Sequence, residues 1–525
     1  MKDIMVLDCT LRDGGYCNQW KFGRENIGKI IKSLIEANIG IIECGFLTEK
    51  AAYVNGSTRF TSVGQLNDIL EHTAGQTYVA MINYGEYEIG HLPQCEDTIL
   101  DGIRIAFHKK DMIPALEFCR QIKEKGYKVF LQPMVSLNYS EEEFLRLIDL
   151  TNDMEPYAFY IVDSFGMMKR QDMIRLYYLV EHRLKDTIQI GFHSHNNMQM
   201  AFANAQVLAD IPSNRKLIID TSIMGMGRGA GNLNTELFVE YLNESAKTKY
   251  YLKPLLRVID EVVNGFYRIN YWGYSLPNYL SAAYNTHPNY ASYLADKNAL
   301  TVENMEEIFA MMADEKRSDF DKTYIEDLYL RYMEKGNVNE THLEEFQKSM
   351  KGKRVLVIAP GRSIKDEQKV IEQEMKSPDV ISIGINADYY ARETDYIFVS
   401  NIRRFKNIPK IKYSKCIITS NISADGVYLQ TEYRSLLNSV ELVKDNAGLM
   451  LIKFLMQLGV KKILLAGMDG YSHDASENYA EDRMLLISQA AVWDAMNEGM
   501  SVVLKKYSGE VDIQFLTTQR HVRIT

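Results

Sequence analysis

The 525-residue chain lacks any uninterrupted apolar run approaching the roughly 18 residues that a membrane-spanning helix needs, so no membrane partner is expected. Cysteine is scarce: six residues, at positions 9, 17, 44, 95, 119 and 416, show no zinc-finger spacing. Several of them lie in apolar runs where a thiol packs as a small hydrophobe, and a disulfide framework is not expected. An excess of positive charge is also missing. Sixty Lys and Arg face 69 Asp and Glu, and the net charge of −9 argues against bulk attraction to nucleic acid or anionic lipid. No signal-peptide core follows Met1-Lys2-Asp3, so a cytoplasmic location is expected.

The chain does contain a repeating alternation of short β-rich runs and amphipathic helical stretches, the pattern of βα units in a parallel sheet. Eight such runs, at about 4–8, 40–46, 78–84, 102–107, 128–134, 158–163, 188–195 and 217–224, predict a TIM (β/α)8 barrel over 1–245. A helical extension and linker is expected over 246–350, with Leu255, Val258, Ile259 and Val262 and then Met305, Ile308, Phe309 and Met312 at helical spacing. The charged, glycine-containing break Lys348-Ser349-Met350-Lys351-Gly352-Lys353-Arg354 leads into the new apolar strand Val355–Ala359. Residues 351–525 then read as a second, Rossmann-like α/β domain. Its further strands are expected at about 379–385, 395–400, 415–419, 461–467, 501–505 and 511–516.

Candidate chemistry begins with Asp8-Cys9-Thr10-Leu11-Arg12-Asp13-Gly14-Gly15, directly after the apolar run Ile4–Leu7. It sets an arginine beside a carboxylate at the carboxyl end of the first strand, where active sites of parallel α/β proteins sit, with two glycines for a sharp turn. A second string, Gly191-Phe192-His193-Ser194-His195-Asn196-Asn197, ends the seventh strand. Strand side chains alternate faces, so His193 and His195 point the same way and suit a shared cation.

With Glu43 in Ile41-Ile42-Glu43-Cys44-Gly45-Phe46, these motifs resemble the DRE-TIM metallolyases, and within them the 4-hydroxy-2-oxovalerate aldolase branch, over about residues 1–310. The resemblance implies Asp13, His193 and His195 as ligands of a divalent cation, Mn2+ or Mg2+, with Asn232 as a further metal-site residue. It implies Arg12 as enolate stabiliser oriented by Glu43, and Ser164 and Tyr274 as substrate contacts. The activity implied is a lyase acting on a 2-oxo acid and an aldehyde through a pyruvate-type enolate.

One departure concerns the base. The family carries a histidine two or three residues past the metal aspartate, whereas this chain reads Gly15-Tyr16-Cys17-Asn18, which makes Tyr16 a candidate and His287 another. A Claisen-type acyl-CoA enzyme of the same superfamily and a non-catalytic metal-stabilised scaffold are the competing readings. The second domain resembles a Rossmann-like group of bacterial sialyltransferases and motility-accessory glycosyltransferases. Its turn Pro360-Gly361-Arg362-Ser363 makes Gly361 and Ser363 candidates for contact with a nucleotide or nucleotide-sugar. Assembly as a homo-oligomer is compatible with this architecture.

Overall fold

The computed structural model describes residues 3–70, 73, 75–245, 249–297, 300–334, 338, 341–481, 484 and 490–524. The chain divides into two compact units, one of residues 1–292 with 313–320 and the other of 293–312 with 321–525. The helical stretch expected over 246–350 is therefore shared between them, and the expected 245/246 boundary abuts residues 246–248, which lie outside the described set.

The first unit is a closed parallel barrel of eight strands: β1 (Ile4–Asp8), β2 (Ile41–Leu47), β3 (Thr77–Asn83), β4 (Gly102–Phe107), β5 (Lys128–Pro133), β6 (Ala158–Asp163), β7 (Gln189–Ser194) and β8 (Leu217–Thr221). Each pairs with its sequence neighbour, and β1 closes the ring through Ile4↔Leu217 to Asp8↔Thr221 on one side and Leu7↔Ile41 on the other. A two-residue strand, Arg59–Phe60, adds to the outer part of β2. Seven of the eight strands end within one residue of the positions read from the pattern. The eighth stops at Thr221 rather than 224, because Met224 takes a left-handed φ of 56° inside a tight turn over Ile223–Gly225.

Helices cover the strands because their apolar residues recur at helical spacing. Arg24–Glu36 buries Ile27, Ile30, Ile31 and Leu34 on one face. Glu141–Met154 is opened by a capping box in which the Ser140 hydroxyl accepts from the Glu143 amide and Glu143 accepts from the Ser140 amide. A large core lies between strands and helices, and a smaller cluster that includes Leu7, Val79, Phe130, Tyr160 and Ile218 fills the barrel interior.

The second unit holds a seven-stranded parallel sheet: β9 (Arg354–Ile358), β10 (Val380–Ile385), β11 (Tyr396–Val399), β12 (Cys416–Thr419), β13 (Leu429–Thr431), β14 (Lys462–Ala466) and β15 (Asp512–Phe515). Their order is β13-β12-β11-β10-β9-β14-β15, so the winding reverses between β9 and β14. The expected strand at 501–505 is instead part of the helix Ala490–Ser508, since Trp493, Asn497, Met500, Val503 or Leu504, and Tyr507 are buried at spacings of three and four that outweigh the β-branched pair Val502-Val503. No described helix is long and apolar enough to cross a membrane.

Candidate active site

β1 stops at Asp8, and Thr10–Asp13 forms one helical turn that carries Arg12 and Asp13 into the carboxyl mouth of the barrel. Buried polar bonds hold that turn: Asp8 accepts from the Thr10 amide at 2.9 Å and the Thr235 hydroxyl at 2.7 Å, and the Thr58 hydroxyl donates to the Leu11 carbonyl at 2.7 Å. Gly14 has an ordinary helical φ of −60° and Gly15 starts the next helical turn, so the glycines do not supply the sharp reversal expected of them. They are small because Thr10 and Met226 crowd one and the Trp20 ring crowds the other.

A continuous run of buried charges starts from this turn. Arg12 donates through Nε to Glu43 Oε2 at 2.7 Å and through Nη1 to Asp13 Oδ1 at 2.6 Å, while its buried Nη2 has no hydrogen-bond partner among the described residues. Glu43 Oε2 also lies 2.9 Å from Arg104 Nη1, and Arg104 Nη2 donates to Asp220 Oδ2. Asp220 Oδ2 in turn accepts from His193 Nδ1 at 2.9 Å. Five side chains from β2, β4, β7, β8 and the first turn are thereby linked from Arg12 to His193.

The electrostatics follow from this linkage. Burial pushes Asp13 up, but the Arg12 guanidinium, the two histidines and the Asn232 amide outweigh it and hold the carboxyl well below its ordinary range. Burial likewise opposes ionisation of Asp220, and Arg104 and His193 outweigh it. For Arg12 the desolvation cost is exceeded by Glu43 and Asp13, so the guanidinium keeps its proton. Burial brings His195 down to about 3, against the pull of Asp13, so its ring is neutral with a lone pair free.

Asp13, His193 and His195 each offer one donor atom, and the three lie within 4.8 Å of one another. Asn232 Nδ2 donates to Asp13 Oδ2 at 2.5 Å, and its Oδ1 is a buried acceptor without a partner beside the same cluster. Three carboxylates against two guanidiniums leave the linked group with an uncompensated negative charge. An anionic oxygen, two imidazole nitrogens and an amide oxygen form a donor set that fits a divalent cation with open positions.

The other expected residues fall at varied distances from this centre. Tyr16 is 40 % exposed, packs edge-on against Trp20 at 4.7 Å, and lies under the Arg228 guanidinium at 5.4 Å. Ser164 is buried, with its hydroxyl accepting from the Val135 amide at 2.9 Å. Tyr274 is 57 % exposed and makes none of the hydrogen bonds just described. In the second unit, Gly361 lines a cavity of about 100 Å³ at the ends of β9, β10 and β14, together with Asn386, Arg404 and Tyr471. Ser363 is fully buried, and its amide and hydroxyl donate to Asp469 at 2.7 and 2.5 Å, so a carboxylate of the chain itself fills that turn.

Arg104 and Asp220 belong to none of the motifs read above. Both interrupt apolar strands, Leu217-Ile218-Ile219-Asp220 and Gly102-Ile103-Arg104-Ile105, and a lone charge in a buried strand is the signal that marks them.

Residues 108–262 match the HMGL-like family model. A 4-hydroxy-2-oxovalerate aldolase from Geobacillus genomosp. 3 is 28 % identical over 242 residues, covering 46 % of this chain and 70 % of the relative. The chain carries an aldolase-like DRE-TIM barrel. An oxaloacetate decarboxylase from Mycobacterium tuberculosis is 28 % identical over 247 residues, with the same shares of 46 % and 70 %. The N-terminal domain of a protein described as an aldolase in Bacteroides vulgatus is 26 % identical, with a TM-score of 0.48 over 55 % of this chain and 96 % of that one. The family model and the aldolase relatives set this DRE-TIM barrel among carbon–carbon lyases.

Proposed function

We propose that the barrel is a divalent-metal-dependent aldolase that breaks or forms a carbon–carbon bond of a 4-hydroxy-2-oxo acid through a pyruvate-type enolate. One observation carries the reading: a buried Asp/His/His donor set shares its mouth with an arginine whose Nη2 has no hydrogen-bond partner among the described residues. The aldolase relative from Geobacillus supports the reaction class.

Asp13, His193 and His195 would hold Mn2+ or Mg2+, with Asn232 Oδ1 as a further oxygen. When bound, the cation supplies Lewis-acid polarisation of the 2-oxo group. Arg12 offers Nη2 to the oxygen that gains charge as the C3–C4 bond breaks, and it stays protonated throughout. Glu43 aligns Arg12 by its 2.7 Å bond, and Arg104 balances Glu43 and Asp220 so that three acids are tolerated in one dry mouth. Asp220 accepts a hydrogen bond from His193 Nδ1, which leaves Nε2 as that ring's ligand atom.

Tyr16 is the assigned acceptor of the C4 hydroxyl proton. It packs on Trp20, whose Nε1 donates to the Arg12 carbonyl at 2.7 Å, so the phenol is tied to the turn that carries Arg12. His287 is unsuited to accepting that proton, because the Asn289 amide faces its Nδ1 at 3.2 Å and the Arg228 guanidinium faces its Nε2 at 3.4 Å. Tyr16 in place of a histidine also favours a second reading. Loss of CO2 from oxaloacetate reaches the same enolate with no hydroxyl to deprotonate, and the Mycobacterium relative is named for that reaction.

The test is to strip divalent metal, restore Mn2+ or Mg2+, and follow pyruvate released from a panel of 4-hydroxy-2-oxo acids and from oxaloacetate. Metal-dependent pyruvate from the former is the expected result. CoA release from an acyl-CoA and a 2-oxo acid, with no pyruvate from any substrate, overturns it in favour of a Claisen enzyme.

A further inference from the structure

The loop Gly225-Met226-Gly227-Arg228-Gly229-Ala230-Gly231 carries one charged side chain, and its root is fixed beside the cluster. A Cβ on Gly227 would stand 2.8 Å from Asp13 Oδ2, and one on Gly229 would stand 3.1 Å from Asn197 Oδ1. Arg12 and Arg104, the other arginines of this mouth, are each paired with carboxylates. Arg228 is half-buried, yet among the described residues it has no ion-pair partner. Its contacts are the Tyr16 ring at 5.4 Å, the Ser164 carbonyl at 3.4 Å and His287 Nε2 at 3.4 Å, and its Nε is buried with none. Keeping a guanidinium partly out of water without an anion costs stability, so an anion that joins it later is bound strongly.

His287 completes the same corner. Its ring lies edge-on to Phe165 at 5.8 Å and against Phe320 at 5.9 Å, and burial with the nearby Arg228 and His108 charges pushes it down to about 3. The ring is neutral, and the Asn289 amide is directed at its Nδ1 at 3.2 Å. The Arg228 Nη1 group is directed at its Nε2 at 3.4 Å, so the imidazole steadies the guanidinium and leaves the remaining Arg228 N–H groups for an outside acceptor.

Resting on the aldolase reading, we infer that Arg228, positioned by His287, forms an anion seat and that the aldehyde half of the substrate ends in a carboxylate or a phosphate. The 2-oxo acid end is held at Arg12 and the Asp/His/His cluster, so the seat reads the far end of the chain. The buried Phe165 covers one side of the corner, which strengthens the recognition and disfavours neutral tails.

The test measures binding and turnover separately on the metal-loaded full chain. Calorimetry compares 2-oxopentanoate with 2-oxoglutarate and with a 2-oxo acid ending in a phosphate ester. The anionic tails should bind roughly 10- to 100-fold tighter, the worth of one or two charge-assisted hydrogen bonds. The stronger of the two identifies carboxylate or phosphate as the natural end. Arg228→Met should abolish the preference and Arg228→Lys should retain part of it. Equal binding of neutral and anionic tails by the wild type overturns the seat, and this comparison needs no variant. If the preference holds while no 4-hydroxy-2-oxo acid yields pyruvate, the seat stands and the aldolase reading falls. If neutral substrates are cleaved as well as anionic ones, the aldolase stands and the seat falls.

Discussion

Asp220→Asn tests whether the buried linkage acts through His193. The substitution keeps the size of the side chain and one acceptor oxygen but removes a charge that both Arg104 and His193 use. Arg104 is then left with Glu43 alone, and losing one partner of a buried pair costs about 3 kcal/mol or more. For a barrel of this size that lowers the melting temperature by roughly 6–12 °C. The asparagine can also present its NH2 to the imidazole, which frees His193 to turn or change tautomer, so metal affinity should drop roughly 10- to 100-fold. Isothermal titration with Mn2+ and thermal unfolding of the metal-free protein read the two effects independently. A variant that melts earlier yet binds Mn2+ within twofold of wild type refutes the positioning role and leaves Asp220 only as an anchor for Arg104.

Gly227→Ala places a methyl 2.8 Å from Asp13 Oδ2, so Mn2+ affinity should fall roughly tenfold or more while circular dichroism stays unchanged; unaltered affinity removes the packing argument. Tyr16→Phe should lower pyruvate release from 4-hydroxy-2-oxo acids by about 100-fold or more and slow oxaloacetate decarboxylation far less, and equal losses in both assays reject Tyr16 as the hydroxyl base. Burial raises Asp8 from 3.8 to about 6, against its bonds to Thr235 and Thr10. Between about pH 4 and 6 the folded chain therefore keeps a proton that the unfolded chain has lost. Stability falls as pH rises through that window, by up to about 3 kcal/mol from this group. Denaturant titrations at pH 4.5 and 6.5 should show a smaller drop for Asp8→Asn, and identical drops exclude the effect.

The barrel was legible because all eight strands are buried apolar runs with helical spacing between them, and that alternation is a local property of the chain. The second sheet was less so. Leu429–Thr431 is too short to show a period, and Ser501-Val502-Val503-Leu504 looks like a strand until the buried positions on either side are counted at helical spacing. Within the site, Arg12, Asp13, Glu43, His193 and His195 announce themselves by residue type at strand ends. Arg104 and Asp220 work in the layer beneath, where only the barrel's closure brings β4 and β8 together across its interior. The occupation of the Ser164 hydroxyl by the Val135 amide and the exposure of Tyr274 depend on loop paths that no spacing rule encodes.

The alternating glycines of the loop at 225–231 have a consequence for how such an enzyme diversifies. Met226 and Ala230 are buried, and the glycine at 227 has no room for a larger residue. Arg228 is the half-exposed position among them, so mutational drift in this segment is channelled to a single codon. A lineage could exchange acidic for neutral or basic partners there without altering Arg12 or the Asp/His/His cluster. A saturation library at position 228 is the shortest experimental path to a catalyst with a new acceptor.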